Sequence, residues 1–156
     1  MQAIIVRPAI LIDLPELARL WHEKMVLQQQ FDRRITLTPD ASRRWSAATA
    51  AWLEDADCYV CVAERNQCIL GYAIGWVKPA PPGLVLERIG YVTELVVDAH
   101  AHQGGLGRLL LSALRQWFTL RKTQQILACV PHRGAVEQAF WRAQGASEWV
   151  DLMWVK

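Results

Sequence analysis

A short glycine cluster stands between an apolar stretch and an amphipathic segment in VVDAHAHQGGLGRLLLSALRQWF, residues 96–118. Glycines at Gly104, Gly105 and Gly107 cost stability, because glycine loses more backbone freedom on folding than any other residue. A helix that begins near Gly105 leaves the amides of its first turn without intrahelical partners, and its dipole adds partial positive charge there. The segment therefore predicts a site where an anion such as a pyrophosphate approaches the backbone. A tight strand-to-helix turn with no ligand is the alternative.

Other phosphate-binding motifs fit this segment less well. The chain contains no GxxxxGK[ST] sequence, which excludes a P-loop. The dinucleotide fingerprint needs GxGxxG and an acidic residue about 20 positions later. This chain has GGLG at 104–107 and the apolar run ILACV at 126–130 instead.

Apolar periodicity and turn residues predict the order β-α-α-β-β-β-α-β-α-β. Because helices alternate with strands after residue 100, we expect β-α-β crossovers on one mixed α/β (α+β) sheet, in a single domain spanning 1–156. Asp13 is expected to cap the first helix, and Thr38 or Asp40 the second. The predicted strands are 4–9, the two arms of a hairpin within 58–77, 88–97, 124–130 and 147–156, and the predicted helices are 14–30, 40–54, 105–121 and 134–145.

Composition excludes several classes of protein. The net charge is +2 and no Lys/Arg block stands out, so no nucleic-acid partner is expected. No apolar run reaches the roughly 18 residues of a membrane span, and the start has no basic n-region, which favours a cytoplasmic protein without a membrane partner. Cys58 and Cys61 have CxxC spacing, but on a strand they point to opposite faces. We expect buried apolar cysteines and no metal site.

The segment LVVDAHAHQGGLGRLLLSAL, residues 95–114, resembles the signature of the GNAT superfamily of N-acetyltransferases. That signature is an apolar strand ending in valine, then a few residues, then Arg or Gln, two residues, Gly, one residue, Gly or Ala, and a helix. Here Val97, Gly105 and Gly107 match it. FWRAQG, residues 140–145, is similar to a second family segment, and the element order also matches the family fold.

Three positions depart from the family pattern. His102 stands where Arg or Gln is usual, and Gly134 lies near the place of a common asparagine. Trp141 takes the place of a tyrosine that protonates the departing thiolate in some members. An indole cannot act as a general acid at neutral pH, so the thiolate would be protonated by water or another group, or leave as the anion.

The resemblance implies acetyl-coenzyme A as the ligand, with no metal. Its pyrophosphate would lie on the backbone of residues 103–108. Its pantetheine arm would pair with a strand edge at Leu95 and Val97, where a family bulge splays the strand from its neighbour. The implied cofactor-binding residues are Leu95, Val96, Val97, His102, Gln103, Gly104, Gly105, Leu106, Gly107 and Arg108.

Transfer to an amine needs a base, because an amine is protonated at neutral pH. Glu94 is the candidate, since it interrupts an apolar strand and matches an acidic residue of many family members. A solvated Glu94, or one paired with Arg88 or a lysine, is the structural alternative. The other candidate bases are His100, His102 and His132. Asp98 is expected to be a turn residue, and Tyr72 and Tyr91 are expected to pack in the core.

The acceptor is left open by the sequence. In families of this fold it is chosen by the segment between the first two helices, here 27–40, and by the loop after the third strand, here 78–90. If the acceptor is a cationic amine, we expect Asp32 or Glu87 near the pocket that binds it. If the acceptor carries a carboxylate, we expect Arg33 or Arg34 there.

Three functions fit these observations. The first is acetyl transfer to a primary amine of a small molecule or peptide. The second is a non-catalytic acyl-coenzyme A-binding or sensor module, and the third is acetylation of protein lysines or N-termini. Family members are often homodimers, and Trp149 and Trp154 are candidate interface residues.

Overall fold

The computed structural model describes residues 3–101 and 104–156. A 3₁₀ turn (Leu11–Asp13) precedes the first helix. The strands are β1 (Ile5–Pro8), β2 (Cys58–Arg65), β3 (Cys68–Pro79), β4 (Arg88–Val97) and β5 (Ile126–Ala128), and the helices are α1 (Leu14–Phe31), α2 (Ala41–Leu53), α3 (Leu106–Leu120) and α4 (Ala135–Ala143). From β1 to α4 this is the predicted order.

The five strands form one mixed sheet in the order β1-β2-β3-β4-β5. The first three pairs are antiparallel, whereas β5 runs parallel to β4. A parallel neighbour requires a crossover, and α3 supplies it. The mixed sheet and the crossover through α3 confirm the predicted fold class.

The predicted last strand is wrong. Residues 147–156 form no strand, so α4 is not part of a second crossover. Glu148 is held by Arg142 at 2.6 Å, and the guanidinium of Arg34 lies 5.3 Å from the ring of Trp154. Strand propensity mostly measures how well side chains fit a pleated, half-buried surface. The apolar pattern of this segment is therefore not enough to make a strand without such a surface beside it.

Helices pack on both faces of the sheet. One core, which we call the α1/α2 face, contains Leu17 and Leu20 of α1 and Trp45 of α2. The other, the α3/α4 face, contains the buried face of α3, with Phe140 and Trp141 of α4 at its margin. Among the described residues, no helix is both long and apolar enough to cross a membrane.

Cys58 and Cys61 lie on opposite faces of the sheet, as their spacing predicts. Cys58 belongs to the core of the α1/α2 face and Cys61 to that of the α3/α4 face. Burial raises the pKa of each thiol to about 12. Both side chains therefore stay neutral at physiological pH and behave as small apolar residues.

Asp13 stands at the N-terminus of α1, but it does not cap the helix with its side chain as predicted. Its carboxylate turns back toward β1 and accepts hydrogen bonds from both terminal nitrogens of Arg7, at 2.8 and 2.9 Å. The amide of Ile10 donates a third, at 2.8 Å. Arg7 also reaches Glu64 of β2 at 2.6 Å, so one guanidinium joins the start of α1 to two strands.

We expect Asp13→Asn to lower the free energy of unfolding by about 2 kcal/mol at neutral pH, because it breaks a buried bidentate pair. The Arg7 guanidinium lowers the pKa of Asp13 below its ordinary 3.8. A lowered folded-state pKa stabilises the fold above about pH 4 and loses that effect as pH falls further. Urea titrations at pH 7 and pH 3 should thus show a difference between parent and variant that shrinks at pH 3. The control Asp151→Asn, at an exposed residue, should change neither value.

Candidate functional site

A β-bulge interrupts β4 at Thr93. Opposite it on β3, Ile74 pairs with Glu94 and the next residue, Gly75, pairs with Val92, so Thr93 has no partner on β3. An extra residue in one strand reverses the faces of all the residues that follow it. Val92 therefore points to the α3/α4 face, whereas Glu94 points to the α1/α2 face.

The same bulge reverses which edge of β4 each backbone group faces. Before it, the carbonyl of Val92 accepts a 2.9 Å hydrogen bond from the amide of Cys129, on the β5 side. After it, the amide of Asp98 donates to Leu70 on β3 at 2.9 Å. Because these groups alternate along a strand, the backbone groups of Leu95 and Val97 face away from β3. Their ladder partner is missing, because the pairing with β5 ends at Val92.

A cavity of about 350 Å³ occupies the gap where β4 and the chain after β5 diverge. Its walls come from both diverging segments and from three helices. The β4 side contributes Val92, Thr93, Leu95, Val96 and Val97, the β5 side contributes Cys129 and Pro131, and the helices contribute Leu20, Leu27, Gly107, Phe140 and Trp141, among others.

The N-terminus of α3 borders this cavity through Gly107. Gly105 has a φ of 92°, which L side chains rarely adopt, so a glycine is required there. The first bond of the α3 ladder runs from the amide of Leu109 to the carbonyl of Gly105 at 3.0 Å. The amides of Leu106, Gly107 and Arg108 precede that ladder and are the orphan donors of the first turn.

The three glycines of the turn are explained by different structural features. A Cβ at Gly107 would lie 3.0 Å from the ring of Phe140 on α4, so close packing disfavours a side chain there. A Cβ at Gly104 would meet no atom of the described residues within 4 Å. Packing against the described residues therefore does not require glycine at 104, and an external ligand that approaches the backbone is a sufficient reason.

The other predicted cofactor-binding residues contribute in different ways. Leu106 is buried in the α3/α4 core and Val96 in the α1/α2 core, so the side chain of each packs inside the protein. Arg108 is exposed at the start of α3. His102 and Gln103 lie outside the described residues.

Glu94 lies on the α1/α2 face in a pocket of aromatic side chains. The indole nitrogen of Trp45 donates a hydrogen bond to Oε1 at 3.2 Å, and the hydroxyl of Tyr72 donates to Oε2. The stacked rings of Trp21 and Trp45, 5.6 Å apart, support this arrangement from α1 and α2. Glu94 is half-buried, it has no cationic partner among the described residues, and two neutral donors fix its orientation.

Tyr72 keeps its proton beside this carboxylate. Burial, and secondarily the negative charge of Glu94, raise the pKa of Tyr72 well above 10. Its hydroxyl is therefore a hydrogen-bond donor across the physiological range. Its ring packs in the core, as predicted, while its hydroxyl serves the site.

A second cavity, of about 260 Å³, lies further along the sheet and is lined by Trp76, Lys78, Tyr91 and Thr93. Thr93 lines both cavities, so each of them reaches the bulge, next to Glu94. Tyr91, expected in the core, is half-buried and forms part of this wall.

The remaining candidate residues lie away from the bulge at Thr93. Asp98 is a turn residue as predicted, since its carboxylate accepts from the amide of His100 at 2.8 Å and from Arg19 at 2.7 Å. His100 and His132 are exposed and line neither cavity. Asp32 and Arg34 pair with each other at 2.7 Å. None of the groups of His, Cys, Asp and Glu in 3–101 and 104–156 is arranged to hold a metal ion.

Sequence reasoning missed Trp45 and Thr93 as parts of the site. Trp45 reads as one more apolar residue at helical spacing on α2, and nothing local shows that its indole N–H points at a carboxylate. Thr93 reads as an ordinary strand residue, because a bulge is defined by pairing with another strand. The one available signal is Glu94 itself, since a carboxylate in an apolar strand requires partners.

Comparison with known proteins agrees with this geometry. Residues 20–146 match the family model described as the acetyltransferase (GNAT) family. No curated protein matches the sequence.

Several solved structures share the fold at low sequence identity. A mutant of the BH1408 protein of Bacillus halodurans has a TM-score of 0.87 at 21% identity, over 97% of this chain and 98% of its own. An aminoglycoside acetyltransferase from an uncultured soil metagenomic sample, in complex with sisomicin, has a TM-score of 0.72 at 21% identity, over 98% and 95%. A ribosomal-protein-alanine N-acetyltransferase of Brucella melitensis has a TM-score of 0.71 at 18% identity, over 99% of each chain. At these identities the likeness establishes the fold and does not identify the acceptor.

Proposed function

Since the chain belongs to the acetyltransferase (GNAT) family, we propose that it transfers the acetyl group of acetyl-coenzyme A to a primary amine, with Glu94 as the base. The observation that carries this proposal is the junction at Thr93. There an open strand edge, a cavity beside a helix N-terminus and a positioned carboxylate lie within a few residues of one another.

The residues around the larger cavity fit coenzyme A. The orphan amides of Leu106, Gly107 and Arg108 suit a diphosphate, and the uncrowded backbone at Gly104 lets it approach. The unpaired edge at Leu95 and Val97 suits an arm that carries amides, because such an arm can add to a sheet as a peptide does. When bound there, acetyl-coenzyme A supplies the acetyl group as a thioester.

Glu94 is oriented to accept a proton from an amine that enters through the smaller cavity. Tyr72 and Trp45 hold the carboxylate in place by donating to one oxygen each, and a carboxylate has further lone pairs for a third donor or a water. Holding amine and thioester together contributes to the rate as well, since it replaces a collision in solution. Trp141 lines the larger cavity and offers no acidic proton, so the thiolate leaves as the anion or takes its proton from water.

Two measurements test the proposal. Acetyl-coenzyme A at about a hundred times its Kd should raise Tm by about 5–10 °C, because binding to the folded state alone stabilises it by about 2.7 kcal/mol. Thiol release should then follow when primary amines are added.

Each other result identifies a different function. Stabilisation without release for any amine would favour the acyl-coenzyme A-binding module. Release only with peptides or proteins, with the acetyl group located by mass spectrometry at lysines or N-termini, would favour protein acetylation, the activity for which the Brucella protein is named. No stabilisation at all would contradict the proposal. The cytoplasmic location, the single domain and the homodimer stay predictions.

A further inference from the structure

The smaller cavity has a distinctive chemical character. Its walls are the rings of Trp76 and Tyr91, with Thr93 at the inner end and Lys78 at the outer end. The ring of Trp52 meets that of Trp76 edge-on, with centroids 5.6 Å apart, which fixes the indole as a flat wall. No carboxylate of the described chain lines this cavity.

A positive charge stands over the aromatic wall. The ammonium of Lys78 lies 4.3 Å from the centre of the Trp76 ring. Lys78 is exposed, so its side chain can leave the ring when a flat group enters. The nearby carboxylate of Asp57 is already bound to Arg88 at 2.6 Å and lies 3.8 Å from Arg121. The carboxylate of Asp57 therefore does not neutralise the ammonium of Lys78.

The register of the sheet sets the polarity of this cavity. Ile74, the partner of Glu94, lies four residues before Lys78 on β3, and residues two apart share a face. The backbones of Ile74 and Lys78 are thus about 13 Å apart along the strand, with Trp76 midway between them. A molecule that extends from the bulge through the cavity therefore has Glu94, the neighbour of Thr93, beyond one end and Lys78 at the other.

We propose that the acceptor is a monoamine with a flat apolar body whose far end is anionic, or at least uncharged, rather than a second cation. This inference rests on the proposed function. The amine end lies beside Glu94 and Thr93, the body stacks on Trp76 and Tyr91, and the far end meets Lys78. A polycationic acceptor would place its second ammonium against Lys78, where like charges repel.

Three amines of matched shape test this: 2-phenylethylamine, its para-carboxylate and its para-aminomethyl derivative. We expect kcat/KM to be highest for the acid, intermediate for the neutral amine and lowest for the diamine, with about fivefold between successive members. The charge reversal Lys78→Glu should invert the order. Lys156→Glu carries the same charge change at an exposed residue that lines neither cavity, and it should leave the order as it is.

The outcomes separate this inference from the proposed function. Equal kcat/KM for the three amines, or an unchanged order in Lys78→Glu, would contradict the proposed class of acceptor. Either result would still agree with the proposed acetyl transfer. Faster turnover of sisomicin than of the acid does the same. If no amine is turned over, saturation-transfer NMR of the three amines with the coenzyme A-bound protein still decides. Binding in the stated order supports the inference, and binding that ignores the para substituent overturns it.

Discussion

Glu94→Gln is expected to reduce kcat/KM for the amine by about a hundredfold or more, the usual contribution of a positioned base. Glutamine keeps the shape of the side chain. Its carbonyl oxygen can accept from Trp45, and its amide can donate to the Tyr72 hydroxyl, so the site stays folded. What the variant lacks is a group that takes a proton. The affinity for acetyl-coenzyme A should stay within about twofold, because Glu94 does not line the larger cavity.

A stopped assay of thiol release at a series of pH values measures kcat/KM for the amine. Calorimetry measures the affinity for acetyl-coenzyme A. Glu148→Gln removes the same charge at an exposed residue and should behave as the parent does. A Glu94→Gln enzyme with full turnover and the parent's pH profile would remove Glu94 from the role of base.

Gly104→Asp is expected to weaken acetyl-coenzyme A binding by about a hundredfold, or about 2.7 kcal/mol. A Cβ at 104 meets no atom of the described residues within 4 Å, so we expect the fold to accommodate the substitution. Its carboxylate lies just before the first turn of α3, where negative charge is favourable. It therefore takes the position proposed for the diphosphate and repels it. We expect Tm without ligand to be unchanged or slightly raised.

Gln116→Glu provides the matched control. It adds the same charge at an exposed position of α3, about 18 Å along the helix from residue 104. Its Kd for acetyl-coenzyme A should stay within twofold of the parent's value in calorimetry. If Gly104→Asp also binds with the parent's affinity, the diphosphate does not lie at the start of α3, and the placement of the coenzyme along β4 loses its anchor.

Local sequence was enough for much of the fold. The helical repeat of α3 and the glycines before it depend on interactions within a few residues, so the pattern shows them directly. The same holds for the opposite faces of Cys58 and Cys61, which follow from the twofold repeat of a strand. The last strand was predicted wrongly because a strand exists only with a partner, and residues 147–156 contact Arg142 and Arg34 instead.

Local patterns in the amino-acid sequence specify the order of elements from β1 to α4 and the glycine turn before α3, and they single out Glu94 as the acidic residue in β4. The bulge at Thr93, by contrast, arises only from the pairing of β4 with β3. That one extra residue turns Glu94 toward Tyr72 and Trp45 and turns the backbone of Leu95 and Val97 toward an unpaired edge. Without the bulge, Glu94 would share the face of Val92 and point at α3. Register is set by the pairing and packing of one strand against another, here β4 against β3, so no pattern within β4 alone contains it.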